Sequence, residues 1–204
     1  IVAKNVVQDD IANAAREEAQ NGRGMVGAIP LLKIAGAAAL AGKVLEEVAT
    51  IAQGFADNMA TLAVAASGAT NPATGMEIAQ VAAGCMEVGV GLHGEAGKVK
   101  PMATAEETVG IMLDALLEDL NVLAEEKLMV IVSGNGATSL MEQLIVYRNC
   151  YAYLVEKEIE IVASHVGELM TVQEMAGFEI CIARMNEELV EYWNAPCRTP
   201  YFKK

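Results

Sequence analysis

The chain has 204 residues, 53% of them hydrophobic and only 4% aromatic, with a formal net charge of −13 at pH 7. That length allows one or two domains and a sizeable core, which must be built from Ala, Val, Ile, Leu and Met rather than from rings. The acidic balance argues against nucleic acid and against an anionic membrane surface, both of which are bound through Lys and Arg.

In chain order, Ile1–Val7 is predicted as a short strand. Gln8-Asp9-Asp10 then supplies acids for the N-terminus of a helix to about Gln20, stopped by Asn21-Gly22-Arg23-Gly24. The chain opens on Ile1 with no charged n-region, and reads as truncated or processed. Met25–Gly42 is the most apolar stretch, but Lys33, Pro30 and the dominance of Gly and Ala make it a buried helix starting near Pro30, not a membrane span. Leu45–Asn58 is a further helix and Thr61–Ala66 a strand, so a boundary is placed near Asn58, with domains 1–58 and 59–204.

Ser67–Pro72 is a loop by composition. A polar loop is expected to run to Pro101, and Thr104-Ala105-Glu106-Glu107 has capping-box spacing for a helix to about Leu120. Leu128–Val132 is a buried strand, turned by Gly134-Asn135-Gly136 into a helix from Ser139 to about Glu156. Strands at Ile159–Ser164 and Phe178–Ala183 and a short helix, Asn186–Trp193, complete the pattern, leaving Phe202-Lys203-Lys204 as the one segment polar enough to be loose. Alternating strands and helices indicate an α/β fold, a mixed β-sheet with helices packed on it.

One stretch, Met86 to Gly97, carries the chemistry. Read as a strand, it places Met86, Val88, Val90 and Leu92 on an apolar face and Glu87, Gly89, Gly91 and His93 on the other. Interior glycines weaken a strand and are kept where something must approach the backbone, so His93 over a glycine floor is a candidate small-molecule site. A bulge or tight helix packing around a structural His is the competing reading. Glu87 and Glu95 could each orient the imidazole, and neither is assigned a catalytic role. Gly134–Thr138 lacks the Lys-Ser/Thr end of a P-loop and reads as a structural turn. His165 reads as structural, and Ser133, Ser139 and Ser164 lack an elbow context. Cys85, Cys150, Cys181 and Cys197 show neither Cys-x-x-Cys nor zinc spacing and read as reduced thiols of a cytoplasmic protein, and two histidines make a dedicated transition-metal site an unpromising expectation.

The run Met86-Glu87-Val88-Gly89-Val90-Gly91-Leu92-His93-Gly94-Glu95-Ala96-Gly97 resembles the signature of the dihydroxyacetone kinase family in its ketose-binding subunit or domain, with Leu92 where isoleucine is common and Ala96 where proline is common. Gly134–Thr138 is similar to the family's Gly-Ala-Thr-Pro loop, Met175–Phe178 to a Met-x-Gly-Phe turn, and Trp193–Pro200 to an Asp-Ala-Pro-x-x-Thr-Pro ending. The order and spacing agree with the second half of that subunit. The resemblance implies a two-layer second domain of the dihydroxyacetone kinase/DegV-like fold, preceded by helices from the end of a first domain.

It also implies that His93 holds a small ketose such as dihydroxyacetone as a covalent hemiaminal, while the phosphoryl donor, an ADP-bearing partner subunit or an ATP domain, comes from elsewhere. No cofactor is expected in this chain, and a homodimer is. The family's upstream His and Asp motifs do not occur here, so the chain alone is expected to be inactive as a kinase. A ketose-binding coactivator of a transcription regulator is the alternative the resemblance leaves open, and a structural domain without ligand chemistry is a third.

Overall fold

Leu128–Val132 and Phe178–Ala183, both strongly apolar, lie side by side within one sheet, where strands covered on both faces belong. The computed structural model describes residues 2–13 and 22–204. Among these, helices Ala28–Leu40 (α1) and Leu45–Ala56 (α2) precede strand Met59–Ala65 (β1). A small hairpin, Ala69–Thr70 (β2) with Glu77–Ile78 (β3), leads to Cys85–Val88 (β4) and Lys98–Pro101 (β5). There follow Ala105–Leu120 (α3), Lys127–Gly134 (β6), Leu140–Glu156 (α4), Glu160–Gly167 (β7), Gly177–Arg184 (β8) and Glu187–Asn194 (α5). The main sheet runs β5-β4-β1-β8-β6-β7. Only the β6–β7 pair is parallel, and α4 makes the crossover that a parallel pair requires.

The alternation of side chains sorts the core onto the two faces of the sheet. Leu62, Val64, Val130, Val132, Ile180 and Ile182 face α3 and α4. The apolar stripe of α3, Met112, Leu113, Leu116, Leu117 and Leu120, is buried there. Met59, Met129, Ile131, Cys181 and Ala183 face the other way, against α1, α2 and Trp193 of α5. The helices ahead of Asn58 thus cover the second face of the mixed sheet. Lys33 lies on the buried side of α1, where its ammonium donates to the Tyr192 carbonyl (2.6 Å) near the C-terminus of α5, a favourable place for a cation. No helix among the described residues is long and apolar enough to cross a membrane.

The helix starts follow their sequence signals. Thr104 and Glu107 form a reciprocal capping box on α3, with the Thr104 N–H donating to the Glu107 carboxylate (2.9 Å). Ser139 and Glu142 repeat it on α4, and Asn186 Oδ1 accepts the Leu189 N–H (2.8 Å) at α5.

Three expectations are corrected. No strand forms at residues 2–7. Of the helix expected from Gln8-Asp9-Asp10, Asp10 supplies a cap-like bond, its Oδ1 accepting Ala12 N (2.9 Å), while its backbone makes a parallel bridge to Thr61. The rest of that helix, residues 14–20, lies outside the described residues. Lys98–Pro101, expected as loop, pairs with β4 as an edge strand, whose exposed lysines hide the apolar alternation of a strand. The tail folds back on itself, with Cys197 and Lys204 exchanging backbone hydrogen bonds (3.1 and 2.9 Å) and the Lys204 ammonium 4.5 Å from the Trp193 ring centroid.

Leu116→Ala is expected to lower unfolding free energy by about 2–5 kcal/mol in urea titration, because the buried side chain leaves a cavity. Leu140→Ala, more than half exposed on α4, should stay within about 0.5 kcal/mol of wild type.

Candidate functional site

The site begins where two segments meet on one edge of β1. Residues Asp9 to Ile11 take the first part of that edge: Thr61 N donates to Asp9 O (2.6 Å) and Ile11 N to Thr61 O (3.1 Å). Strand β4 takes the rest, and Gly89 N makes the last bond of this pairing, to Ala63 O (2.7 Å). Beyond that the edge is occupied, so the chain must leave. It does so at Gly89 with φ +90°, and a Cβ there would stand 2.6 Å from the Ala12 methyl. The strand expected to continue to His93 therefore ends at Val88. Val90 turns into a separate apolar cluster with Met25, Ala63 and Met175, and Leu92 packs against it.

Residues 89–97 form a tied-down loop between β4 and β5. Gly91 N donates to Glu95 O (2.9 Å) and Gly94 N to Gly91 O (3.2 Å). Glu87 does not face His93; it is buried, and its carboxylate accepts the Gly97 N–H (3.1 Å) at the neck of the loop. The floor beneath the loop is not bare either. A Cβ on Gly91 would meet the Glu95 carboxylate at 2.2 Å and the Arg23 guanidinium at 2.4 Å, so this glycine makes room for the protein's own charges.

His93 stands at the tip of this loop with its side chain 89% exposed. Its backbone N–H donates to Glu95 Oε2 (2.9 Å), and Glu95 Oε1 faces Nδ1 at 3.5 Å. Arg23 Nη1 lies 3.8 Å from Glu95 Oε2. On its other side Arg23 clasps Asp10 Oδ2 through Nε (2.7 Å) and Nη2 (2.5 Å), and Nη2 also donates to Gly89 O (3.3 Å). Partial burial would raise the Glu95 carboxyl; the backbone N–H groups of Glu95 and His93, then Arg23 and the imidazole, outweigh it and hold the group below the usual carboxylate range. Asp10 goes the other way, pushed up by burial against the opposing pull of the Ala12 N–H and Arg23. An imidazole this accessible, fixed at its backbone and flanked by one carboxylate, can act as a nucleophile or a general base toward a molecule reaching it from solvent.

Residues 1–201 match the model of the Dak1 domain. The chain belongs to the Dak1 domain family of dihydroxyacetone kinases. It is 36% identical over 199 residues to the dihydroxyacetone-binding subunit DhaK of a PTS-dependent dihydroxyacetone kinase of Listeria innocua, covering 97% of this chain and 60% of that one. It is 35% identical over 203 residues to an L-erythrulose kinase of Pectobacterium atrosepticum, covering 97% of this chain and 34% of the relative. The chain thus spans between one third and three fifths of these relatives. Among solved structures, the dihydroxyacetone kinase operon co-activator DhaQ superposes with a TM-score of 0.87 at 26% identity, covering 94% of this chain and 60% of that one. A DegV family protein of Thermus thermophilus shares the fold, with a TM-score of 0.55 at 11% identity over 78% of this chain and 57% of that one.

The other stretches singled out in this Dak1 domain lie elsewhere. In the Gly134–Thr138 turn, Asn135 N and Ala137 N are taken by Gly177 O (3.0 Å) and Met175 O (3.1 Å). Gly136 at φ +123° fits against Gln173 O, where no Cβ could stand. His165 lies inside β7, not after it, at the opposite edge of the sheet from β5, and its ring meets Phe202 at 5.3 Å.

Two buried acids have roles the sequence did not show: Asp9, expected only at a helix N-terminus, and Glu179, which was not singled out. Asp9 accepts Met25 N (2.7 Å), Gly27 N (3.0 Å) and the Thr61 hydroxyl, and Glu179 of β8 accepts Val26 N (2.9 Å), so both carboxyls face the turn that leads into α1. The Asp9-Asp10 pair closing the run Val6-Val7-Gln8 was the available signal: an extended segment sends neighbours to opposite sides, Asp9 to α1 and Asp10 to Arg23.

Burial pushes the Glu179 carboxyl from an ordinary 4.5 up to about 8, with Asp9 and Asp10 nearby adding to it. An acid bound more tightly to its proton in the folded state stabilises the fold fully below about 4.5 and loses that contribution as pH rises to about 8. Urea-unfolding stability should therefore decline across this window in wild type and decline less in Glu179→Gln. Equal slopes in the two proteins would mean that Glu179 does not titrate there.

Proposed function

We propose that this Dak1 domain is the ketose-capturing part of a dihydroxyacetone kinase-type protein, and that His93 holds the substrate as a hemiaminal. The observation that carries the proposal is the placement of His93: a freely accessible imidazole on a loop whose backbone is fixed at both ends, in a chain of this family. In the capture step the neutral imidazole's lone pair forms a bond to the carbonyl carbon and the C=O π pair moves to oxygen. The alkoxide takes a proton through water, and the ring releases its N–H proton. Glycerol and other polyols have no carbonyl, so selection rests on a bond that only a ketose can form.

The Listeria relative is named as dihydroxyacetone-binding and the Pectobacterium relative as an erythrulose kinase, which supports a small ketose of this kind as the ligand. In the whole protein the captured ketose would be phosphorylated on a terminal hydroxyl. The donor would be a nucleotide-bearing partner subunit or domain, the first of these favoured by the PTS-dependent name of the Listeria relative. Residues 1–58, packed on the sheet, would join it to a first domain, in a cytoplasmic homodimer. A ketose-sensing coactivator is the second reading, favoured by the likeness to DhaQ. It keeps the capture and drops the phosphoryl transfer.

Carbon-13 NMR with carbonyl-labelled dihydroxyacetone should give a new tetrahedral-carbon signal, distinct from free ketone and its hydrate. His93→Ala should abolish the signal. Its absence from the full-length wild-type protein would rule out the hemiaminal. Phosphorylation of bound ketose by that protein with its donor separates kinase from coactivator.

A further inference from the structure

We infer that Asp10, Arg23 and Glu95 are positioning residues that hold the His93 imidazole in its Nδ1–H tautomer and so present the Nε2 lone pair to the incoming ligand. Its use in ketose capture rests on the function proposed above; the tautomer itself does not.

The geometry is a chain of contacts running from the interior to the surface. Asp10 is fixed first: its side chain is fully buried, its Oδ1 accepts Ala12 N (2.9 Å), and its own N–H donates to Arg23 O (3.1 Å). Asp10 Oδ2 holds Arg23 through two guanidinium nitrogens, and Gly89 O takes a third bond, so the Arg23 fork cannot rotate away. Nη1 is left beside Glu95 Oε2. That same oxygen accepts the His93 backbone N–H, which turns the other oxygen, Oε1, toward Nδ1. Side-chain exposure rises along the chain, from 0% at Asp10 to 18% at Arg23, 40% at Glu95 and 89% at His93.

An ionised carboxylate only accepts, so the ring nitrogen facing it carries the proton and the far nitrogen keeps its lone pair. Gly91 belongs to the same device, since any side chain there would displace both Arg23 and Glu95. Among the described residues nothing holds Nε2. When Nε2 adds to a carbonyl carbon the ring becomes cationic at Nδ1–H. Glu95 is then placed to stabilise that charge and to accept the proton, which passes on to water.

The test reads the ring directly. Two-bond proton–nitrogen-15 correlation of the imidazoles, at a pH where they are neutral, distinguishes the two tautomers; the chain has two histidines, and His93→Ala assigns the spectrum. Wild type is expected to show His93 as Nδ1–H. Glu95→Gln, an isosteric change at a half-buried loop position that should not disturb folding, shifts the ring toward Nε2–H. Arg23→Met and Arg23→Lys do so in part, since a single ammonium cannot grip Asp10 through two nitrogens and still reach Glu95. Capture of labelled dihydroxyacetone falls at least about tenfold in Glu95→Gln. An Nε2–H ring in wild type, or a tautomer unmoved by Glu95→Gln, overturns the inference. A shifted tautomer in a protein that captures no ketose leaves the inference standing and removes the hemiaminal instead.

Discussion

The shared edge of β1 is the constraint on which the rest of the candidate site depends. A strand edge offers one row of backbone groups, and here two segments divide it, Asp9–Ile11 below Ala63 and β4 above. Because the row cannot be used twice, β4 has to depart at Gly89. Everything that distinguishes the site follows from this departure: the positive φ, the reversal of the side-chain alternation at Val90, and a loop rather than a strand under His93.

The same division explains the buried charge. Pairing of residues 9–11 with β1 draws two adjacent carboxylates into the protein, one to each side of the backbone. Asp9 meets the turn that leads into α1, where the Met25 and Gly27 N–H groups donate to it and the Val26 N–H donates to Glu179. Asp10 meets a guanidinium. The two sides solve the burial of an anion differently, by helix-end hydrogen bonds and by an ion pair, and only the second leads outward to the imidazole. Glu179 keeps one oxygen without a partner among the described residues, in keeping with a carboxyl that stays protonated at neutral pH.

Much of the fold was legible where the governing interactions are local. The Thr104–Glu107 box and the helix starts at Ser139 and Asn186 depend on residues three apart, and each lies where the sequence puts it. The stretch holding His93 was also legible, as a run of unusual composition. Its conformation was not, because that is imposed by Ala12 and Arg23, more than sixty positions away along the chain. The link between Asp10 and Arg23 was hidden for the same reason: an Asp near an apolar run looks like a helix cap, and nothing local shows that its second oxygen holds a guanidinium. Lys98–Pro101 was missed because an edge strand need not be apolar, and the tail because Phe202 finds His165 and Trp193 only in three dimensions.

The β4–β5 hairpin lies at the margin of the sheet, and β5 is mostly exposed and paired on one side only. Its opening would release Lys98–Pro101 and the neck at Gly97 while leaving β1, β8 and β6 fully bonded. The loop carrying His93 therefore has a local free energy of its own, smaller than that of the whole molecule. Substitutions on β5 can loosen the imidazole without moving the melting temperature. Amide exchange across residues 97–101, rather than thermal denaturation, is the quantity that tracks how well the His93 loop is held.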